Sequence, residues 1–334
     1  MLASYENAAE SGDTAVMIAL VNDMLSAGTP PVTVLTDAIA AAQRAVGVRW
    51  TRGEWTVAQE HAATAMAVAA TKTVMKYVRR SPATRGRLVV ACAEREWHAL
   101  PAMIIACALS AHGWDTTLLG ASTSALRLNQ YIHDLGPEAV AVSCSMLGAL
   151  PATRRLIEAS TAAGVPVVVG GAAFGDDDVR ARALGATAWA RDAEGAVAAM
   201  EGLPAVVSPA PPLPEGPATE QAALELDRRR LFALLRERWS LTAAFLVAGE
   251  APSAVSLTDA EDVLNLVLHA VSAALLTCDP RPVAETFTWV ADLMQNRGVD
   301  ITVVRELGEL LAAALRDYPQ ARGLVLQHLA DGLA

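Results

Sequence analysis

Apolar and polar positions along the chain follow three successive patterns. Over residues 1–80 the apolar residues recur at helical spacing. Asp13 stands before a run that reaches Ala27, with Gly28 at its end and Pro30-Pro31 beyond, the start and stop signals of a helix. A second run, residues 32–49, places Leu35, Ile39 and Ala42 on one face. Gly53 breaks it. Thr56 followed by Gln59 is a capping-box pair, so a third helix starts there and runs to about Arg80. A small helical bundle is expected over residues 1–82.

From residue 85 to residue 202 the period changes. The short apolar runs "RLVVACAE", "WDTTLLG", "AVAVSCS", "VPVVVGG" and "ATAWAR" read as strands, and helical stretches separate them. Among those helices are residues 98–112, residues 152–163 and a last one near 194–200. Strand and helix alternate five times, which predicts a flavodoxin-like, doubly wound five-stranded parallel sheet. Its strands are too apolar to alternate cleanly, as expected where helices cover both faces. Residues 203–219 hold Pro204, Pro209, Pro211, Pro212, Pro214 and Pro217 and read as a semi-rigid, extended linker. Helical spacing returns over residues 220–334, with helices expected at 224–248, 258–277, 283–296, 301–317 and 321–330. The predicted fold class is therefore α/β plus all-α.

Composition narrows the functional classes. The 334 residues are 53% apolar and 19% charged, the balance of a globular protein with a sizeable core. No apolar run looks long enough to span a membrane. The start of the chain lacks the basic-then-apolar pattern of a secretory signal, so a cytoplasmic location is expected. The formal net charge of −10 and the lack of a basic helix-turn-helix segment argue against direct nucleic-acid binding. Cys92, Cys107, Cys144 and Cys278 show no zinc spacing and read as reduced thiols. No P-loop, defensible Ser-His-Asp order or nucleotide-cyclase motif is visible, and the chain is not expected to be an enzyme.

The candidate chemistry gathers after the first strand, in "CAEREWHALPA". Ligands of open parallel sheets bind beyond the carboxyl ends of the strands. His98 lies there at the start of a helix. Glu96, two residues earlier in a locally extended loop, points the same way and can reach the imidazole. A metal-bound histidine usually donates its second N–H to such a partner. Alone, Glu-x-His is weak evidence, because most such histidines are surface or helix-capping residues. Two further strand ends add to it. The third strand finishes with the hydroxyls of Ser143 and Ser145. The fourth finishes at Gly170-Gly171, where the missing side chains admit either something bulky or a tight turn.

Together these residues resemble the cobalamin-binding domain of methionine synthases and corrinoid proteins, whose motif is Asp-x-His-x-x-Gly, then a serine, then Gly-Gly. The resemblance implies that His98 is the lower cobalt ligand, with Glu96 in the aspartate position and Pro101 in the glycine position. Upstream, Trp50…Glu60-His61 resembles the Trp-x9-Glu-His signature of adenosylcobalamin-dependent photoreceptors. Ten residues on one unbroken helix would span about 15 Å, but the break at Gly53 lets the three residues meet at one end of the bundle. In that family they cover the upper face of the corrin and contact the adenosyl group. The implied cofactor set is Trp50, Glu60, His61, Glu96, Trp97, His98, Ser143, Ser145, Gly170, Gly171 and Phe174. DNA-binding members carry a histidine directly after the tryptophan. Here Thr51 holds that place, so water or His61 is expected above the cobalt after illumination.

The domain order resembles the photocobilins, which hold both cobalamin and biliverdin. The resemblance implies light-driven cleavage of the cobalt–carbon bond, loss of the adenosyl group, and a shift of the bundle against the sheet. It also implies a homo-oligomer with a light-dependent state and an associated signalling enzyme or domain. A bilin needs cationic or N–H partners for its propionates and an acceptor for its pyrroles. Arg229, Arg230, Trp239 and His269 are the expected contacts, without a thioether to Cys278. Each also has a plainer reading, as a solvated helix face or a satisfied core residue. The alternative function is a corrinoid methyl carrier serving a methyltransferase, and a third is a light-independent cobalamin-sensing module.

Overall fold

The computed structural model describes residues 7, 8, 10, 12–242 and 256–332. The chain divides into two compact units, Met1–Trp50 with Glu54–Pro211, and Thr51–Gly53 with Pro212–Ala334.

The first unit opens with helix α1 (Thr14–Ser26), which Asp13 caps by accepting from the amides of Ala15 and Val16. Helix α2 (Pro31–Thr33) runs through a π-helical stretch (Val34–Ala40) into α3 (Ala41–Thr51). Thr56 and Gln59 form the expected capping box at the start of α4 (Val57–Val78). The sheet and its helices follow as β1 (Arg87–Ala93), α5 (Ala99–Ala111), β2 (Asp115–Thr123), α6 (Ala125–Leu135), β3 (Ala139–Ser143), α7 (Leu150–Ala162), β4 (Val167–Gly170), α8 (Val179–Ala183), β5 (Ala188–Ala190) and α9 (Ala193–Glu201). All pairings are parallel and the strand order is β2-β1-β3-β4-β5, as the flavodoxin-like prediction requires. That order reverses direction between β1 and β3, which is where this topology opens a crevice for a ligand.

The strand pattern has a physical basis in burial. β3 and β4 are buried along their whole length, and so is β1 after Arg87, whereas the edge strand β2 is half-exposed. β2 runs past the expected Gly120 to Thr123. It does so through two register shifts against β1, with Gly120 and Ser122 in the left-handed region. Met66, Ala67, Ala70 and Val74 of α4 share one core with Leu100, Ile104, Cys107 and Ala108 of α5 and with Val90 and Cys92 of β1. Small alanines let the helices approach closely, and each large buried side chain contributes roughly 1.5–3 kcal/mol. The N-terminal helices and the sheet are therefore one packed body.

The proline-rich stretch is anchored over its first half. Val207 N donates to Gly164 O at 3.2 Å and Ala210 N to Thr161 Oγ1 at 3.0 Å. The buried Arg154 guanidinium donates to Pro211 O at 2.6 Å and to Leu184 O at 2.8 Å.

The second unit is helical throughout its described residues: α10 (Glu215–Arg238), α11 (Leu257–Thr277), α12 (Arg281–Asn296), α13 (Thr302–Ala314) and α14 (Pro319–Asp331). Two expectations need correction. The first helix starts at Glu215, inside the expected linker, because Pro217 in a first turn costs no intrahelical bond. It stops at Arg238, where Trp239 turns extended to bury its indole, so the helix expected to reach residue 248 is broken; residues 243–248 lie outside the described residues. A third correction concerns membranes. Thr258–Thr277 is long and apolar enough to cross one, but 72% of it is buried inside the unit, as in a core helix.

Candidate cofactor site

The site is built around Glu96. β1 ends at Ala93, and Arg95 then takes a left-handed conformation with φ of 69°. Its amide donates to Ser122 Oγ at 3.3 Å, and Ser122 N donates back to Glu96 O at 3.0 Å. Ser122 is itself left-handed at φ 51°. Two non-glycine residues in this region at one strand end hold strain that the surrounding bonds sustain. The result turns the Glu96 side chain inward until it is fully buried.

A buried carboxylate is tolerated only when its lone pairs are satisfied. Glu96 Oε1 accepts from His98 N at 2.8 Å and pairs with His98 Nδ1 at 2.7 Å. Oε2 accepts from Ser145 N at 2.6 Å and Met146 N at 2.9 Å. Glu96 thus ties the loop after β1 to the loop after β3 across the switch point. Burial alone would raise its pKa. The hydrogen bonds from the His98 ring and from the amides of His98, Ser145 and Met146 outweigh that and hold it below the usual carboxylate range. The His98 pKa is raised, first by the bond to Glu96, against partial desolvation, and further by the Glu96 and Glu60 carboxylates.

His98 caps α5, and its side chain remains 58% exposed. With Nδ1 engaged as donor, Nε2 carries the lone pair and has no partner among the described residues. Among these residues no cluster of three or more His, Cys, Asp or Glu could hold a bare ion. One histidine aimed outward suits a metal that brings its other ligands in a macrocycle. Pro101 sits in the first turn of α5, where it is tolerated.

Other expected residues fall into place unevenly. Ser143 pairs with Cys92 and Gly170 in register at the end of β3, and its buried Oγ has no hydrogen-bond partner. This hydroxyl at the end of the sheet is buried with no partner among the described residues. Ser145 contributes its backbone amide to Glu96. A Cβ on Gly170 would meet Ala190 O at 2.4 Å, and one on Gly171, with φ of 106°, would meet Cys144 O at 2.4 Å. The chain's own backbone therefore requires glycine at both positions. Phe174 is fully buried and offers no surface to a ligand. Trp97, beside His98, is 73% exposed.

The residues expected on the upper side lie on the N-terminal helices. Trp50 lies half-buried in the last turn of α3. Glu60 is in the first turn of α4, where its charge complements the helix N-terminus. Its Oε1 accepts from Thr64 Oγ1 at 2.8 Å, and its Oε2 is 3.6 Å from Nε2 of the exposed His61. Sequence reasoning missed Trp55, the buried indole of this region, over which Arg49 stacks at 5.5 Å.

In the helical unit the expected bilin residues separate. Arg229 is exposed and Arg230 is bound to Asp227. Trp239 is a core residue whose Nε1 donates to Val303 O at 2.8 Å. His269 is half-buried and meets Arg228, at 3.3 Å, an arginine outside the expected set. Arg228 also donates to Asn265 at 3.4 Å.

Residues 86–201 match the B12 binding domain family, and residues 1–75 match a second family that is also described as a B12 binding domain. No curated protein matches the chain. Among solved structures, it resembles the Methanosarcina barkeri monomethylamine corrinoid protein, with 19% identity, 60% of this chain and 96% of that chain covered, and a TM-score of 0.52. A cobalamin-binding protein of Desulfitobacterium hafniense matches with 20% identity over 60% of this chain and 97% of that chain, TM-score 0.33. The corrinoid likeness establishes the fold. The two domain matches make this a cobalamin-binding protein, and its cofactor a corrinoid with cobalt.

Proposed function

We propose that this chain is a light sensor, a regulator and not an enzyme, that binds adenosylcobalamin with His98 as the lower cobalt ligand. The observation that carries the reading is the Glu60 carboxylate in the first turn of α4, held on one oxygen by Thr64 Oγ1 at 2.8 Å, with α4 read as a lid over the cofactor. A carboxylate on the upper side accepts hydrogen bonds, and so favours an upper ligand that carries hydroxyl donors. A methyl group has none to offer. Trp50 and His61 complete the lid in this reading, an indole for an apolar face and an imidazole for a polar one.

The bound cofactor supplies a light-sensitive cobalt–carbon bond. The protein would orient it through His98, which Glu96 fixes with Nε2 available. When the upper ligand departs, Glu60 loses its partner, and the lid is biased toward a second arrangement. Because α4 and α5 share a core, separating the whole bundle would expose that core. The movement is therefore confined to the open end of the lid, around the first turn of α4. We propose a cytoplasmic homo-oligomer that reports this change to a signalling partner and does not touch nucleic acid. Biliverdin is the second chromophore in this reading, in the helical unit, where the half-buried Arg228, Asn265 and His269 offer donors.

The second reading, a corrinoid methyl carrier, is favoured by the fold likeness to the monomethylamine corrinoid protein. Absorption spectra separate the two. Purified protein is loaded with adenosylcobalamin, with and without biliverdin, and recorded before and after green light beside His98→Ala. A light-driven shift to a hydroxo- or histidine-type spectrum, with a change in molecular size, supports the sensor. Photolysis like that of free cofactor, with no change in size, supports the carrier. A red-absorbing band with biliverdin adds the second chromophore.

A further inference from the structure

Glu60 has a support that binding a corrin does not by itself require. Thr64 follows it by one helical turn on α4 and donates to Glu60 Oε1 at 2.8 Å. The same Thr64 oxygen accepts from Gln43 Nε2 of α3 at 2.5 Å. All three side chains are half-buried. An amide N–H can only donate and an ionised carboxylate can only accept, so the hydroxyl between them is fixed in one sense. The relay satisfies Oε1 and leaves Oε2, the oxygen facing His61 at 3.6 Å.

This arrangement differs from a capping interaction. The helix start is already served by Thr56 and Gln59. Glu60 is not needed for that capping box, yet Thr64 bonds it directly and Gln43 of α3 fixes the Thr64 hydroxyl in turn. A free glutamate loses up to about 2 kcal/mol of rotamer entropy when it binds a ligand, and prepositioning removes part of that cost. Resting on the reading of α4 as a lid over the cofactor, we propose that Gln43 and Thr64 are positioning residues. They preset Glu60 so that Oε2 alone meets a hydroxyl-bearing upper ligand such as a ribose, and thereby set selectivity for adenosylcobalamin.

The test measures dark dissociation constants for adenosylcobalamin and hydroxocobalamin on the full chain by absorption titration. The proteins are wild type, Thr64→Val, Thr64→Ser, Gln43→Leu and Glu60→Ala, with thermal midpoints to show that each is folded. Thr64→Val and Gln43→Leu are expected to lower the preference for adenosyl over hydroxo about 3- to 10-fold, the worth of one hydrogen bond. Thr64→Ser retains the preference, Glu60→Ala loses at least as much, and hydroxocobalamin affinity stays constant throughout. A wild-type preference in Thr64→Val beside a reduced one in Glu60→Ala overturns the positioning role and leaves the lid standing. An unchanged preference in Glu60→Ala overturns the lid itself, and this inference with it.

Discussion

Replacing Glu96 by Gln removes one acceptor oxygen from a buried site where four donors converge. The carboxylate takes His98 N and Nδ1 on one oxygen, and Ser145 N and Met146 N on the other. A carboxamide keeps one oxygen and turns an NH2 toward the other pair. If the oxygen faces His98, the Ser145 and Met146 amides lose their acceptor. If it faces Ser145 and Met146, the His98 amide loses its partner, and the imidazole must accept at Nδ1. The ring proton then moves to Nε2, which has no lone pair for a metal. Each stripped buried donor costs about 1–3 kcal/mol, and the cheaper orientation strips one, so the apo protein loses about 1–3 kcal/mol around the switch point. For a body of this size that lowers the melting temperature by about 2–12 °C. Hydrogen exchange at the Ser145 and Met146 amides reads the loss locally, and 15N chemical shifts of His98 read the tautomer. Wild-type stability together with an unchanged His98 tautomer would refute the reasoning. Glu96→Asp keeps the charge and should fall between the two.

Three further outcomes follow from the geometry. Burial, the largest cause in each, pushes the Cys92, Cys107 and Cys144 thiols up to about 12, while Cys278 is exposed. A thiol reagent at pH 8 should therefore label Cys278 alone in the native protein and all four cysteines after denaturation; fast native labelling of Cys92 or Cys144 contradicts the buried site. Gly171→Ala places a Cβ against Cys144 O in a left-handed backbone, and should lower stability by about 2 kcal/mol or more in a thermal melt; a neutral effect refutes the close approach. His328 packs on Phe287 at 5.0 Å, and burial lowers its pKa against the opposing pull of Asp331. The fold then favours neutral His328. Its contribution is complete above the unfolded value of about 6.5 and is lost as pH falls through the lower folded value. Urea melts of the helical unit should weaken from pH 7 toward pH 5, and His328→Phe should flatten that slope; an unchanged slope in the variant refutes it.

The local elements and the pairing of His98 with Glu96 were already legible along the chain. Helix starts at Asp13 and Thr56 were legible because capping is a contact between residues two or three apart. The five strands and their order class were legible because a sheet covered on both faces demands continuous apolar runs between helices. His98 and Glu96 were legible as a pair because they are two residues apart. The rest depends on backbone groups and on distant chain segments, which folding alone brings together. The Ser145 and Met146 amides that hold Glu96 have no side-chain signature, since every residue but proline carries the same N–H. The glycine pair was open to two readings, room for something bulky or a tight turn, and only the fold shows neighbouring backbone set close against both positions, because a missing side chain does not say what fills its place. Gln43 reaches Thr64 across 21 residues and two helices, a contact that no local pattern signals. Trp239 and Phe174 were read as ligand contacts and lie in the core, because an aromatic ring serves either end and only packing selects between them.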